Sequence, residues 1–246
     1  KVKLDDDIIV FNFVQKWGYG YYHWLIEIYP KLFYIKNFIE KNINNFKNKK
    51  LILLLYYNDS FIKQYLEILN ISNIEICSYN HNIEYICKTV YICYPTHSGN
   101  PSKDSINYLR NSIFKNNIFS YKINILLKRN YSRIIKNFND VYNNLVQNYN
   151  NNQWIIFDDS TDINQNIIKT IELFNNANII IGTHGAGLSN MIYSGVNSKI
   201  IELHPNNCGN VCYWHLSKTI ENQHIMLLCN IISENEIIVD INKLNY

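Results

Sequence analysis

Residues 178–193 read NIIIGTHGAGLSNMIY: a strand-like apolar run, a cluster of small residues, then a second apolar segment. The chain has eight glycines, and Gly182, Gly185 and Gly187 fall here, together with Ala186, with Gly195 two residues beyond; the only other alanine, Ala177, immediately precedes the stretch. The rest is crowded with Asn, Ile, Lys and Tyr, the composition of an AT-rich genome, so scarce residues that persist together call for a physical reason. Strand, glycine loop and short helix in that order put the loop at the carboxyl end of a parallel strand, where open α/β sheets bind ligands. Gly185 and Gly187 are expected to permit positive φ and close backbone approach. A helix start at Leu188 to Asn190 is expected to leave N–H groups facing the loop. That arrangement attracts an anion, a diphosphate above all, with His184 as a further donor. The same pattern also suits a tight strand-to-helix packing turn with His184 satisfied by backbone.

Working outward, the arginines are as scarce as the glycines. They are Arg110, Arg129 and Arg133, and two lie four apart in KRNYSR (128–133), just after the strand INILLK (123–128). Guanidinium forks suit phosphate oxygens, and a merely solvating cation in this Lys-rich chain could have been Lys. The other reading is an arginine pair bridged to surface carboxylates. Glu202 ends the strand KIIEL (199–203), where a carboxylate can accept from ribose hydroxyls, or can simply be a solvated strand end before His204 and Pro205.

Further strands are expected at INILLK, WIIFDD (154–159), HIMLLC (224–229) and EIIVD (236–240), with helices over 139–149 and 163–175, the latter opened by an Asp162/Gln165 capping box. The first half alternates likewise: strands at DIIVFNF, LILLLYY, NIEICSY and EYICKTVYICY, helices over Tyr21 to Glu40 and Ser60 to Leu69. PTHSGNPSKDS (95–105) is the expected hinge, followed by a connecting helix from Asp104 to Lys115. Two alternating series imply an α/β protein of two Rossmann-like domains facing across a cleft, divided as 1–100, a hinge and helix at 101–120, and 121–246.

Hydrophobic residues make up 47% of the 246 and charged ones 17%, so a core can form and the Asn-rich stretches read as decorated helices and loops rather than disorder. A formal charge of +3 without a dense basic block argues against nucleic acid or anionic lipid as partner. No apolar run has bilayer length, so direct membrane insertion is not expected. The six cysteines, Cys77, Cys87, Cys93, Cys208, Cys212 and Cys229, lack a dense spacing framework and read as free thiols. His204, Cys208, Cys212 and His215 have a spacing that a tetrahedral zinc can use, but isolated His and Cys in such a segment more often pack than ligate.

Together, KRNYSRIIKN (128–137), INQNIIKTIELFNNANIIIGTHGAGLSNMIYSGVNSKIIELHP (163–205) and GYYHWLIEIYPKLFYI (20–35) resemble glycosyltransferase family 61, which includes protein O-linked N-acetylglucosaminyltransferases and plant β-1,2-xylosyltransferases. The resemblance implies a GT-B-like fold, a nucleotide-sugar donor, usually UDP-linked, in the C-terminal domain, inversion at the anomeric carbon, a glycan or glycoprotein acceptor, and no obligatory metal or other cofactor. It assigns Arg129, Arg133 and His184, Gly185, Ala186, Gly187 and Leu188 to the donor site. Such transfer needs a general base. His23 and Glu27, four apart on an expected helix, are the candidates, either the imidazole oriented by the carboxylate or the reverse; His23 and Trp24 plugging the helix into the core is the plainer alternative. Other classes consistent with the residues are a non-catalytic nucleotide- or sugar-binding subunit and, without the required G-x-G-x-x-G order, a nucleotide-dependent oxidoreductase. Asn58-Asp-Ser, Asn70-Ile-Ser and Asn130-Tyr-Ser fit the N-glycosylation pattern. A cytoplasmic setting with free thiols is nevertheless expected, or a secretory lumen if an N-terminal anchor has been removed.

Overall fold

The computed structural model describes residues 1–57, 61–93, 97–114, 119–162 and 166–244. The chain is mixed α/β and divides into two compact units, Lys1–Ser98 and Gly99–Tyr246. Among the described residues, no helix is long and apolar enough to cross a membrane.

The first unit contains β1 (Val2–Lys3), β2 (Ile8–Asn12), a π-helical turn (His23–Ile28) running directly into α1 (Tyr29–Lys41), β3 (Lys50–Leu55), α2 (Phe61–Leu69), β4 (Glu75–Ser78), β5 (Tyr85–Ile86) and β6 (Thr89–Ile92). Its main sheet has the order β4-β3-β2-β6 with every pair parallel, and β1 pairs with β5 apart from it. In chain order that is 3-2-1-4, so the strand order reverses between β2 and β6. The apolar runs IIVF and LILLL are buried on both faces, as central parallel strands require. Phe11 packs edge-on to Phe46 and stacks on Tyr91, and Phe38 of α1 joins that aromatic cluster.

Two expectations change here. The helix expected from Tyr21 to Glu40 is wound as π over His23–Ile28. Pro30, in the first turn of α1, has no N–H and crowds the preceding turn, and the wider winding relieves this. The stretch EYICKTVYICY forms two short strands, β5 and β6, rather than one.

The second unit contains α3 (Lys103–Ile113), β7 (Ile123–Lys128), β8 (Ile134–Ile135), α4 (Phe138–Asn148), β9 (Gln153–Asp158), α5 (Ile167–Asn175), β10 (Ala177–Thr183), a 3-10 helix (Ala186–Tyr193), β11 (Lys199–Pro205), α6 (Cys212–Thr219), β12 (Gln223–Ser233) and β13 (Glu236–Ile238). The sheet runs β8-β13-β12-β11-β10-β7-β9, parallel except for the β12–β13 hairpin pairing. Its parallel part has the order 2-1-3-4-5, with reversal between β7 and β10. Leu126, Ile181, Leu203 and Leu227 project from one face into a core with Val141 and Leu145 of α4.

Helix α3, read from sequence as a connector, belongs to this unit. Ser102 caps it, and Arg110 donates to the carbonyls of Ile192 and Ser194 at the end of the 3-10 helix. The expected capping box at Asp162 falls partly on Gln165, outside the described residues. The N-cap of α5 is Asn166, whose side chain accepts from the Lys169 N–H, while Asp162 accepts from the Asp158 N–H. Pro95 and Thr96 of the expected hinge and the tripeptide Asn58-Asp59-Ser60 also lie outside the described residues.

Lys31 of α1 is buried, and burial lowers its pKa, against smaller opposing effects of Cys93 and Glu27. The unfolded chain keeps this proton up to the ordinary lysine range near about 10.4, while the folded chain releases it at lower pH. The group's contribution to stability therefore rises with pH across that interval. Lys31→Met is expected to raise the melting temperature at neutral pH, and its advantage over the parent is expected to shrink toward pH ~10. Denaturant titrations of both proteins across the interval check this; a constant difference would contradict it.

Candidate functional site

Register builds the second unit's site. Lys128 of β7 lies opposite Asp158 of β9, so the next residues, Arg129 and Asp159, leave the sheet side by side at its carboxyl edge. Arg129 Nη1 donates to Asp159 Oδ2 at 2.7 Å, and both side chains are largely buried. Nε and Nη2 donate to the carbonyl and hydroxyl of Ser132 at 2.8 and 3.0 Å. Strand β10 ends beside β7, and its glycine loop lies on this ion pair. A Cβ added at Gly185 would fall inside the Arg129 guanidinium, and one at Gly187 would meet Leu127 Cδ2 at 2.8 Å and Asp159 Cβ at 2.9 Å. These glycines are therefore required for space. The expected positive φ is absent: Gly185 is extended, with φ 176°. The expected uncommitted N–H of Leu188 is also corrected, since it donates to the Gly185 carbonyl at 2.9 Å and closes the first 3-10 turn.

Arg133 is placed differently from Arg129. Its backbone sits in the left-handed region with φ 53°, a conformation that costs energy in a residue with a Cβ. Burial lowers its pKa, and the neighbouring Arg129 charge adds to that. Among the described residues its guanidinium makes no hydrogen bond or ion pair. The sequence brought the two arginines together correctly but did not distinguish the braced one from the uncommitted one. The missing signal was Asp159, the second acid of WIIFDD, which only strand register identifies as Arg129's partner.

Glu202 lies on β11 opposite Gly182 of β10, two residues before His204 and on the same face. It is fully buried. One carboxylate oxygen accepts from His184 Nδ1 at 2.5 Å and the other contacts His224 Nε2 at 3.0 Å. Burial alone pushes this carboxyl up, but the two histidines outweigh it and hold its pKa below the ordinary value. In this geometry Glu202 presents no exposed oxygen to a ribose; it orients the His184 ring, which also packs against His204 and Tyr213. His224 and Tyr213 went unnoticed in the sequence because neither lies near a motif.

The four residues weighed for zinc do not assemble as a set. His204 and Cys208 instead come together with His184, their ligand atoms all within 4.8 Å of one another.

In the first unit, His23 and Glu27 meet. His23 Nδ1 lies 2.9 Å from Glu27 Oε2, which also accepts from Gln15 Nε2 at 2.8 Å, and Ser98 Oγ is 3.4 Å from the same ring nitrogen. Glu27 is 2% exposed and the His23 side chain 23%. Gln15 follows the carboxyl end of β2 and Ser98 follows β6, so the cluster sits where the strand order of that sheet reverses. Trp24, not His23, plugs the core, being fully buried.

An α/β chain with a glycine loop and guanidinium at one switch point, and an oriented imidazole at another, has the groups of a group-transfer enzyme. The family model described as Glycosyltransferase 61 matches residues 21–201, about three quarters of the chain, and the chain belongs to that family. The protein is thus a glycosyltransferase, an enzyme that binds a sugar donor and an acceptor. No curated protein matches it.

Because Gly185 has no room for a methyl group, Gly185→Ala is expected to destabilise by about 1–3 kcal/mol, the usual range for overpacking. Gly209, where an added Cβ meets nothing within 4 Å, is the control, and its Ala variant is expected to stay within about 0.5 kcal/mol of the parent. Equilibrium urea denaturation measures both; equal effects would refute the packing account.

Proposed function

We propose that the enzyme is an inverting, GT-B-like glycosyltransferase that moves a sugar from a nucleotide-sugar donor, UDP-linked, to a hydroxyl of a glycan or glycoprotein, without a divalent ion in the transfer step. The observation that carries this reading is Arg133. A half-buried guanidinium held in a left-handed backbone, beside a second arginine whose charge is already met by Asp159, is poised for an anionic ligand. It follows the strand β7, next to the reversal point where doubly wound sheets bind nucleotides. The donor's diphosphate engages Arg133 and the loop from His184 to Leu188. Arg129 and Glu202 act as positioning residues, the first under the loop and the second behind His184.

Transfer requires that the acceptor oxygen attack the anomeric carbon as its bond to the diphosphate breaks. The hydroxyl proton goes to His23, whose Nδ1 is held by Glu27 so that Nε2 is left as the acceptor. The departing diphosphate takes the bonding electrons, and its charge is met by Arg133. The buried Glu27, doubly hydrogen-bonded, suits the orienting role better than that of the base. A reducing, cytoplasmic compartment fits the six free thiols.

UDP is expected to raise the melting temperature, since a ligand that binds only the folded state stabilises it. Arg133→Ala is expected to remove most of that shift while keeping the parent's unliganded stability within about 1 kcal/mol. A full shift in the variant would defeat the phosphate assignment.

His23→Ala and Glu27→Gln are expected to cost on the order of a hundredfold in turnover with the UDP-induced shift unchanged, the scale of lost general-base assistance. Assay of sugar transfer from a panel of nucleotide sugars reads this, and unaltered turnover in both would rule out the base.

A further inference from the structure

The side chains of His184, His204 and Cys208 form a cluster that the transfer chemistry leaves largely unexplained. Two of the three are buried, and each offers one ligand atom to a common centre. Their orientation is fixed from behind. Glu202 takes the Nδ1 side of His184 and so leaves Nε2 with the lone pair, the carboxylate–histidine arrangement by which metal sites set the tautomer of a ligand. Cys208 is brought back to His204 by a turn in which its own N–H donates to the Pro205 carbonyl at 3.0 Å.

His204 poses the sharper question. Both of its ring nitrogens face backbone carbonyls at 3.0 Å, Nδ1 toward Pro205 and Nε2 toward Asn210. A neutral imidazole has one N–H and so satisfies one of these, setting a nitrogen lone pair against an oxygen lone pair at the other; a second proton or a cation is needed to satisfy both. A cation between nitrogen and oxygen turns that repulsion into two bonds. Donor atoms on one tetrahedral zinc are separated by about 3.4 Å for bonds of about 2.1 Å, so Nε2 and the Asn210 oxygen, 3.0 Å apart, move apart by about 0.4 Å to share it.

We propose that His184 Nε2, His204 Nε2, Cys208 Sγ and the Asn210 carbonyl oxygen bind one thiophilic divalent cation, with zinc as the natural probe. The thiol proton is released to solvent as the sulfur–metal bond forms. Four protein donors leave no open position, so the ion braces the 204–210 segment against the glycine loop and takes no part in the transfer step. Neither Arg133 nor the backbone from Gly185 to Leu188 is among its ligands.

The test uses the full chain, reduced and stripped of metal by a chelator, and titrated with zinc against a chromophoric competitor. One equivalent is expected to bind and to raise the melting temperature. Cobalt in its place is expected to show a thiolate charge-transfer band and the intense visible bands of a tetrahedral ion. Cys208→Ser, on a half-exposed loop residue, is expected to weaken zinc binding by about a hundredfold or more and to abolish the thiolate band, whereas Cys87→Ser, in the other unit, is expected to change neither. Absence of stoichiometric binding, a cobalt spectrum without thiolate, or a Cys208→Ser variant that binds like the parent would each overturn the site.

Discussion

The ion pair between Arg129 and Asp159 is the contact on which the second unit's site depends. Two strands in parallel register deliver a cation and an anion to adjacent positions, and the glycine loop of a third strand closes over them. Neither charge has much water left to solvate it. Removing one partner of such a buried pair costs about 3–5 kcal/mol because the other is left uncompensated. Burial raises the pKa of Asp159 even though Arg129 opposes the rise, so the pair is held by geometry as much as by charge. Ser132 supplies the remaining fixation by accepting from the other two guanidinium nitrogens, which stops the arginine from rotating away from the loop. The glycines follow from this: a methyl group has no place to go against a guanidinium held at all three of its nitrogens.

Once Arg129 is committed, the neighbouring Arg133 acquires its character. A like charge nearby and partial burial both disfavour its charged form, and the left-handed backbone adds strain. These costs are the conditions under which an arriving anion gains most, since it meets a cation that solvent and protein have left poorly compensated. Arg110 shows the contrast. Burial also lowers its pKa, to about 10, but its guanidinium is spent on the carbonyls of Ile192 and Ser194 and so works as a clamp on the 3-10 helix. Three arginines in one Lys-rich chain thus serve three ends, and in each case the planar fork or the permanent charge explains why lysine would not serve as well.

Much of this was legible in the sequence, and what was not has a common cause. The alternation of strand and helix, the strand–loop–helix around Gly185, the arginine pair and the contact of His23 with Glu27 all follow from local pattern, because periodicity and i, i+4 spacing are properties of neighbouring residues. Asp159, His224, Tyr213 and Gln15 were invisible because their partners lie 12 to 30 residues away and only the tertiary fold brings them together. The accessibility of Glu202 was misjudged for the same reason: a carboxylate at a strand end reads as exposed until the neighbouring strands bring two histidines to it. The glycines were rightly singled out but for a partly wrong cause, close packing against side chains being unreadable from the loop alone. The π winding before Pro30 was readable in principle, since a proline one turn into a helix announces a register problem behind it.

Asn130 carries the same lesson. Its tripeptide Asn130-Tyr131-Ser132 has the form of a glycan acceptor, yet its amide nitrogen donates to both oxygens of Asp158 at 2.9 and 2.8 Å and to the Ser160 hydroxyl at 2.8 Å. Burial pushes Asp158 up, but these bonds from Ser160 and Asn130 prevail and hold its carboxyl below the ordinary range. A glycan would attach at that nitrogen, remove one of its protons and crowd the contact. The loosened segment would be the turn after β9 that sets Asp159 against Arg129. The acceptor pattern therefore coincides with a clasp on the ion pair beneath the glycine loop. Ser132, its third residue, is at the same time the acceptor for two of Arg129's three engaged nitrogens. Both ends of the tripeptide are used by the fold, which accounts for Asn and Ser at those positions.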